Sequence, residues 1–427
     1  METKPNTVGI LVGGGPAPGI NSVIGAATIR ACLSGWKVLG LRDGFRWLME
    51  GDTQAVRALA IEEVSRIHFR GGSFLGTSRA NPTKSPELLQ KTVASLRTLG
   101  INKLITIGGD DTLYSAHCVA EAAGDEIAVV HVPKTIDNDL DLPLMTSTFG
   151  FQTARHVGVE IVKNLMTDAQ TTSRWYFIIA MGRKAGHLAL GMGKAAGATI
   201  TLIPEEFSEP QIKLAEVVDT LACAIVKRKA HGRADGVAVI AEGIMERMAP
   251  EDLRQLGEIE RDPHGNIRFA EVEFGRILKA RVEERMAQLK VKTTIVSKDV
   301  GYELRCADPI PFDMDYTRDL GYCAAQYLYD GGTRSLICTI EGSFSPIPFV
   351  QLMDPTTGKS RIRLVNIMSD RYRIGRRYML RLRREDLTDP VELTRLAKTA
   401  GLGAEEFRAQ FEYLVRHEPP NIALRGH

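Results

Sequence analysis

An α/β fold with a mostly parallel sheet is the architecture this sequence predicts. Three observations predict it: short β-rich apolar runs, helical periodicity between them, and Gly or Asp at or within two residues of the ends of most runs. The runs are TVGILV at 7–12, KVLGL at 37–41, KLITI at 103–107, IAVVHV at 127–132, WYFIIAM at 175–181, GVAVIA at 236–241 and SLICTI at 335–340. Each has the length and β-branched content of a buried strand. Residues 20–33, 86–99, 150–166 and 209–229 carry helical periodicity and supply the crossovers that parallel strands require.

With 427 residues the chain has room for two to three domains. Its motifs fall into two sets, before 150 and after 170, which predicts two α/β layers facing one another across a cleft. The expected boundaries are 1–150, completed by 303–352, and 151–302, completed by 353–427. No Gly/Ser-rich or Pro-rich linker separates them, and no short-period repeat occurs.

A hydrophobic content of 44% with 25% charged residues is that of a soluble globular enzyme. Lys plus Arg total 54 against 52 Asp plus Glu, a formal charge of +2, so nothing global draws the chain to nucleic acid or an anionic membrane. Any anion site must be local. The six cysteines, at 32, 118, 223, 306, 323 and 338, show no metal-ligand or disulfide spacing and read as reduced, mostly buried thiols. The start METKPNTVGILV lacks a charged segment followed by a long apolar run, and no stretch approaches 18 apolar residues, so a cytoplasmic location is expected.

GGGPAPGIN at 13–21 follows the first strand and precedes a helix, where glycines let backbone N–H groups approach an oxyanion. It is neither a Walker A sequence nor a GxGxxG fingerprint, and alone it fits a phosphate cradle and a tight turn equally. GGDDT at 108–112 and PKTIDND at 133–139 each stand where an apolar run stops. In an open parallel sheet that position brings carboxylates, a lysine and a threonine to one crevice, and phosphoryl transfer is the chemistry they suit. Asp110 and Asp111 suit a helix N-terminus, and equally a Mg²⁺ ion that takes one or two carboxylates beside phosphate. Lys134, Thr135, Asp137 and Asp139 favour the second use. They add a cation, a hydroxyl and two carboxylates aimed the same way.

GGGPAPGIN, FLGTSR at 74–79, GGDDT, TIDND at 135–139, MGR at 181–183, AEG at 241–243 and YELR at 302–305 together resemble the phosphofructokinase family. They occur in that family's order, with comparable spacing through about residue 340. NAD kinases and lipid kinases share a GGDG-type strand end but lack the TIDND and MGR segments. The resemblance implies two Rossmann-like α/β lobes facing a cleft, here with a C-terminal extension. ATP-using members typically carry glycine where Asp111 and Lys134 stand, so this pair resembles the pyrophosphate-dependent branch.

The resemblance further implies pyrophosphate and fructose 6-phosphate as substrates, Mg²⁺ on Asp110, and Asp137 as the base for the sugar 1-hydroxyl. Asp139 and Thr135 position that base. Gly14, Gly15, Arg79 and Lys134 meet the phosphoryl oxygens, and Asp111 with Lys134 selects the donor. Sugar-phosphate recognition falls to Thr135, Ile136, Asp137, Met181, Gly182, Arg183, Glu242, Tyr302 and Arg305, with Arg183 also catalytic. Arg174 has the family spacing of an arginine reaching a neighbouring subunit, which implies a homodimer or homotetramer. An ATP-dependent phosphofructokinase and a non-catalytic regulatory subunit of the same fold are the alternatives.

The sequence departs from the family pattern in places. Tyr302 stands where many bacterial relatives have histidine, and Lys298 substitutes for a second inter-subunit arginine. The tract 243–300 is longer than the compact bacterial version. Residues 345–427 include nine arginines between Arg361 and Arg384. The interleaved Tyr372, Ile374, Tyr378 and Leu382 fit a helix or strand packing one face, in preference to a nucleic-acid patch. Glu205 and Glu206 read as structural.

Overall fold

The computed structural model describes residues 6–254 and 272–418, and each of the seven apolar runs forms a strand. In chain order the strands are β1 (Thr7–Val12), β2 (Lys37–Leu41), β3 (Val56–Ala58), β4 (Lys103–Gly108), β5 (Ala128–Thr135) and β6 (Phe149–Gly150). They continue as β7 (Trp175–Ala180), β8 (Ile200–Leu202), β9 (Gly236–Ala241), β10 (Ile295–Val300), β11 (Ser335–Ile340) and β12 (Ser343–Pro348). Helices occupy the predicted crossovers, among them Ile20–Leu33, Pro86–Thr98, Phe151–Thr172 and Leu214–Ala230.

The chain divides into two units. One holds the described residues up to Ala154 together with Tyr302–Arg363; the other holds those between Arg155 and Gly301 and those from Leu364 on. The first break lies inside a helix and not at 150. Asp313 accepts from the Gly150 N–H at 2.9 Å and the Thr153 N–H at 2.7 Å, which ties the helix's first turn to the first unit. The last break comes at Leu364 and not at 353, because Ile362 bridges antiparallel to Leu140 and the Arg363 N–H donates to the Asp139 carbonyl at 2.7 Å. Residues 255–271, within the long tract 243–300, lie outside the described residues.

In the first unit the sheet runs β12-β11-β5-β4-β1-β2-β3, with β6 beside β5. It is parallel except at its outer pairs, β11 with β12 and β2 with β3. Val12 of β1 lies opposite Ile107 of β4, and Ile107 lies opposite Val132 of β5. Three strands about 4.8 Å apart therefore release their carboxyl ends along one edge.

The second unit's sheet, β10-β7-β9-β8, is parallel throughout, with Ala180 opposite both Ala241 and Val300. Its core joins Trp175, Phe177, Leu221 and Ile240 to Leu393, Leu396, Phe407 and Phe411, so the C-terminal helices are part of that core. The arginine tract packs differently from the expectation. Tyr372 and Leu382 are buried, but Ile374 and Tyr378 are 42% and 83% exposed. On the helix Asp370–Tyr378 the buried face is Tyr372, Gly375 and Arg376, and residues two and six positions from Tyr372 point elsewhere. The arginines do not form one patch either: Arg363, Arg376 and Arg381 are buried, and Arg361, Arg373, Arg377 and Arg383 pair with carboxylates.

The cysteines are unpaired, yet only Cys223 and Cys338 are buried; Cys32, Cys118 and Cys323 are half-buried and Cys306 is exposed. No helix among the described residues is long and apolar enough to cross a membrane.

One buried polar residue fixes the strand ends against each other. His131 of β5 has no exposed surface, and its Nε2 lies 3.0 Å from the Gly108 carbonyl at the end of β4. A carbonyl only accepts, so Nε2 bears the proton and Nδ1 accepts from the Thr106 hydroxyl at 2.8 Å. Burial, with the nearby Lys134 charge, lowers the His131 pKa to about 3 against a hydrogen bond to Gly108 that opposes the shift. The unfolded chain, with a histidine pKa near 6.5, therefore takes up a proton that the folded chain refuses. Stability from this group is complete above about pH 6.5 and falls as pH drops from there towards 3, by about 2 kcal/mol at pH 5. Urea unfolding at pH 7.5 and pH 5 should show that loss in the parent and its absence in His131→Gln. Equal acid sensitivity in both proteins would rule out a neutral His131.

Candidate active site

Glycine-rich backbone at the ends of β1 and β4 is required by packing. An added Cβ at Gly108 would fall 2.3 Å from the Thr112 Cβ, and Gly14 has φ of +82°, a left-handed conformation that side chains resist. The Gly14 N–H donates to the Ser78 carbonyl at 2.8 Å, which brings the FLGTSR segment, and with it the exposed Arg79, alongside the loop. Thr77 donates to the Gly14 carbonyl at 2.7 Å.

The helix Asp110–Ala123 starts where β4 ends, with Gly109 as its N-cap and both aspartates in its first turn. Carboxylates there are favoured by the helix dipole. Asp110 is 6% exposed and its carbonyl accepts from the Ser360 hydroxyl at 3.1 Å, while Asp111 is half-buried. No cluster of three or more His, Cys, Asp or Glu side chains able to hold a metal occurs among the described residues. One buried carboxylate at a strand end fits Mg²⁺, which keeps water and phosphate oxygens in most of its shell.

Lys134 is 5% exposed and donates from Nζ to the Gly15 carbonyl at 2.5 Å. A side chain from β5 has thus crossed β4 to reach the loop that follows β1. The arrangement excludes an ordinary surface ion pair. Arg305 approaches the same loop, its Nη1 lying 3.1 Å from where a Gly15 Cβ would sit, and it stacks on Tyr302 at 4.5 Å. Tyr302 and Arg305 belong to the first unit, with the glycine loop, Asp110 and Lys134.

Thr135 and Ile136 are buried and Asp137 is half-buried. The Asp137 N–H donates to the Thr135 hydroxyl at 3.0 Å, and the Thr135 carbonyl accepts from Thr148 at 2.8 Å. Asn138 holds the left-handed corner of this turn with φ of +55°, and its Oδ1 accepts from the Thr148 N–H at 3.0 Å. Asp139 is buried just beyond it.

In the second unit Met181, Gly182 and Arg183 leave β7 beside Glu242, which leaves β9. The Gly182 N–H donates to Glu242 Oε1 at 3.0 Å, and the Met181 N–H donates to the Val300 carbonyl at 3.0 Å. Two residues read as structural, Glu205 and Glu206, shape this region. Glu205 accepts from the Gly186 N–H at 2.9 Å and the Val365 N–H at 3.0 Å; burial raises its pKa and those two N–H groups oppose the rise. Glu206 pairs with the buried Arg381 and accepts from the Tyr372 hydroxyl at 2.8 Å. Arg174 stands apart from this group within the chain. It precedes β7, so a six-residue strand, about 20 Å, separates it from Met181.

Residues 7–328 match the sequence profile of the phosphofructokinase family. The chain is 55% identical to the pyrophosphate--fructose 6-phosphate 1-phosphotransferase of Thermotoga maritima, over 95% of this chain and 97% of that protein. It is 49% identical to the protein of the same name from Naegleria fowleri, over 96% of each chain. The crystal structure of a pyrophosphate-dependent phosphofructokinase from Nitrosospira multiformis superimposes with a TM-score of 0.66 at 16% identity, covering 86% of this chain and 88% of the other, and shares its fold. By sequence and by fold alike, this chain belongs to the phosphofructokinase family.

Proposed function

We propose that this protein transfers a phosphoryl group reversibly from pyrophosphate to the 1-hydroxyl of fructose 6-phosphate, giving fructose 1,6-bisphosphate and phosphate. The observation that carries the reading is the buried Lys134 ammonium against the Gly15 carbonyl, at the strand edge that also presents Asp110 and Asp111. A compact, highly charged diphosphate suits an ammonium point charge there. A carboxylate at Asp111 would repel the α-phosphate of a nucleotide by roughly 4 kcal/mol at 4 Å and an effective dielectric of 20. The names carried by the Thermotoga and Naegleria relatives support the same donor.

In this reading Asp137 accepts the proton of the sugar 1-hydroxyl as its oxygen bonds to phosphorus and the bridging P–O bond to the departing phosphate breaks. Deprotonation is late in a loose transition state, so an ordinary ionised aspartate suffices and positioning dominates. Thr135 and Asp139 hold the base, and Gly14, Gly15, Arg79 and Lys134 receive the phosphoryl oxygens. Asp110 would hold Mg²⁺, which supplies charge neutralisation when bound. Met181, Gly182, Arg183 and Glu242, with Ile136, Tyr302 and Arg305, recognise the sugar phosphate. Arg174 reaches the substrate of a neighbouring subunit in a homodimer or homotetramer. Unpaired thiols suit a reducing cytoplasm.

Fructose 1,6-bisphosphate should form with pyrophosphate and Mg²⁺ and not with ATP and Mg²⁺; product with ATP alone would refute the donor assignment, and turnover by the purified chain excludes a merely regulatory subunit. Asp137→Asn should lower kcat by about 10²–10⁴ with little change in the KM for fructose 6-phosphate. Combining Asp111→Gly with Lys134→Gly should raise the ATP-to-pyrophosphate ratio of kcat/KM by roughly 30-fold, the equivalent of about 2 kcal/mol. A ratio that does not move would show that these side chains leave donor choice alone.

A further inference from the structure

The family match ends at residue 328, yet a segment beyond it is built into the turn that carries Asp137 and Asp139. Residues 353–363 fold back on themselves through a Met353–Ser360 bridge, and Ile362 then pairs antiparallel with Leu140. Arg363 ends this segment. It is 7% exposed, and its guanidinium grips backbone. Nε and Nη2 donate to the Asn138 carbonyl at 3.2 and 3.0 Å, and Nη2 also donates to Asn138 Oδ1 at 2.6 Å. Nη1 donates to the Thr146 carbonyl at 2.9 Å and lies 3.5 Å from the Leu142 carbonyl. Its own N–H donates to the Asp139 carbonyl at 2.7 Å.

These acceptors share one property. They lie on residues 138–146, the loop that must hold Asn138 at its positive φ and so fix the directions in which Asp137 and Asp139 leave the backbone. Carbonyls that converge on one point repel each other, and only a planar, multiply donating cation can satisfy several at once. Burying a guanidinium is costly without such partners. Burial lowers the Arg363 pKa, and the Asp139 and Asp141 charges act against that shift.

We propose that Arg363 is a positioning residue for phosphoryl transfer: from outside the family's matched region it clamps the Asn138 corner and thereby sets the aim of the Asp137 base. The inference rests on the reading of Asp137 given above, and its test has an arm that does not depend on activity. Arg363→Met, which keeps the stem and removes the donors, should speed amide hydrogen exchange in residues 136–148 by at least about tenfold while the rest of the chain keeps its protection. In the same variant kcat for fructose 1,6-bisphosphate formation from pyrophosphate should fall by about 10²-fold with both KM values nearly unchanged, as expected for a base displaced by about 1 Å. Added guanidinium ion should restore part of that rate. Arg363→Lys, a milder change that keeps the charge, should lie between the two proteins. Arg361→Ala, which removes a half-exposed pairing with Asp141 on the same segment, should leave rate and exchange alone. Unchanged exchange in residues 136–148 would overturn the clamp whatever the phosphoryl donor proves to be. Unchanged kcat in an otherwise active enzyme would overturn its catalytic part, as would exchange that quickens throughout the chain. An unsubstituted chain inactive with pyrophosphate would instead strike the underlying functional reading, and leave the exchange result to decide the clamp.

Discussion

The site on the first unit depends on the parallel register of β1, β4 and β5. Because Val12, Ile107 and Val132 stand side by side, the glycine loop, the two aspartates and the lysine-to-aspartate segment all begin at the same height. A one-residue slip would turn each of these side chains to the opposite face of the sheet. His131 opposes such a slip directly, since its proton bridges β5 to the terminal carbonyl of β4 within a region with no water to compete. Thr112 closes the space above Gly108, so the strand end and the helix that follows it meet without room for a further methyl group.

That geometry explains how an ammonium is kept where bulk water is not. A buried lysine loses hydration, and in an apolar setting it would shed its proton. Here it has the Gly15 carbonyl within hydrogen-bonding distance and, in the proposed reading, a diphosphate as its eventual counterion. Asp111 sits in the first turn of a helix whose dipole favours negative charge, so the carboxylate is tolerated there. In the proposed reading the two act as a pair, the lysine attracting phosphate and the carboxylate disfavouring a nucleotide's α-phosphate.

Much of this arrangement was legible because strand ends are punctuated. Apolar runs, most with Gly or Asp within two residues of their ends, located the strands, and the residue types after β1, β4, β5, β7 and β9 located the candidate site. What could not be read has physical causes. β10 carries the half-buried Ser297 and the exposed Lys298 and Asp299, so its sequence lacks an apolar run although its backbone is fully paired with β7. His131 looks like one polar interruption of an apolar strand, and nothing in the sequence names its partner one strand away. Arg363 is hidden among nine arginines of which some are exposed and some buried, and spacing alone does not separate them. Ile374 and Tyr378 misled for the reverse reason, since apolar side chains in an arginine-rich helix read as its buried face while Tyr372 and Arg376 occupy it.

The second unit builds its loop by the opposite electrostatic means. Around Met181 to Gly186 the backbone N–H groups are met by carboxylates, Gly182 by Glu242 and Gly186 by Glu205, so the loop is held at both ends by acids. Arg183 is carried between these two anchors. Burial works against the Glu205 charge, and backbone N–H groups, those of Val365 and Gly186 foremost, act to hold it. The Val365 contribution comes from the segment immediately after Arg363. Residues 360–365 therefore support first the Asp110 carbonyl, then the Asn138 corner, and then Glu205, each within its own unit. A tract this short, lying beyond the matched family region, thereby supports the Asp110 carbonyl and the Asn138 corner in the first unit and Glu205 in the second.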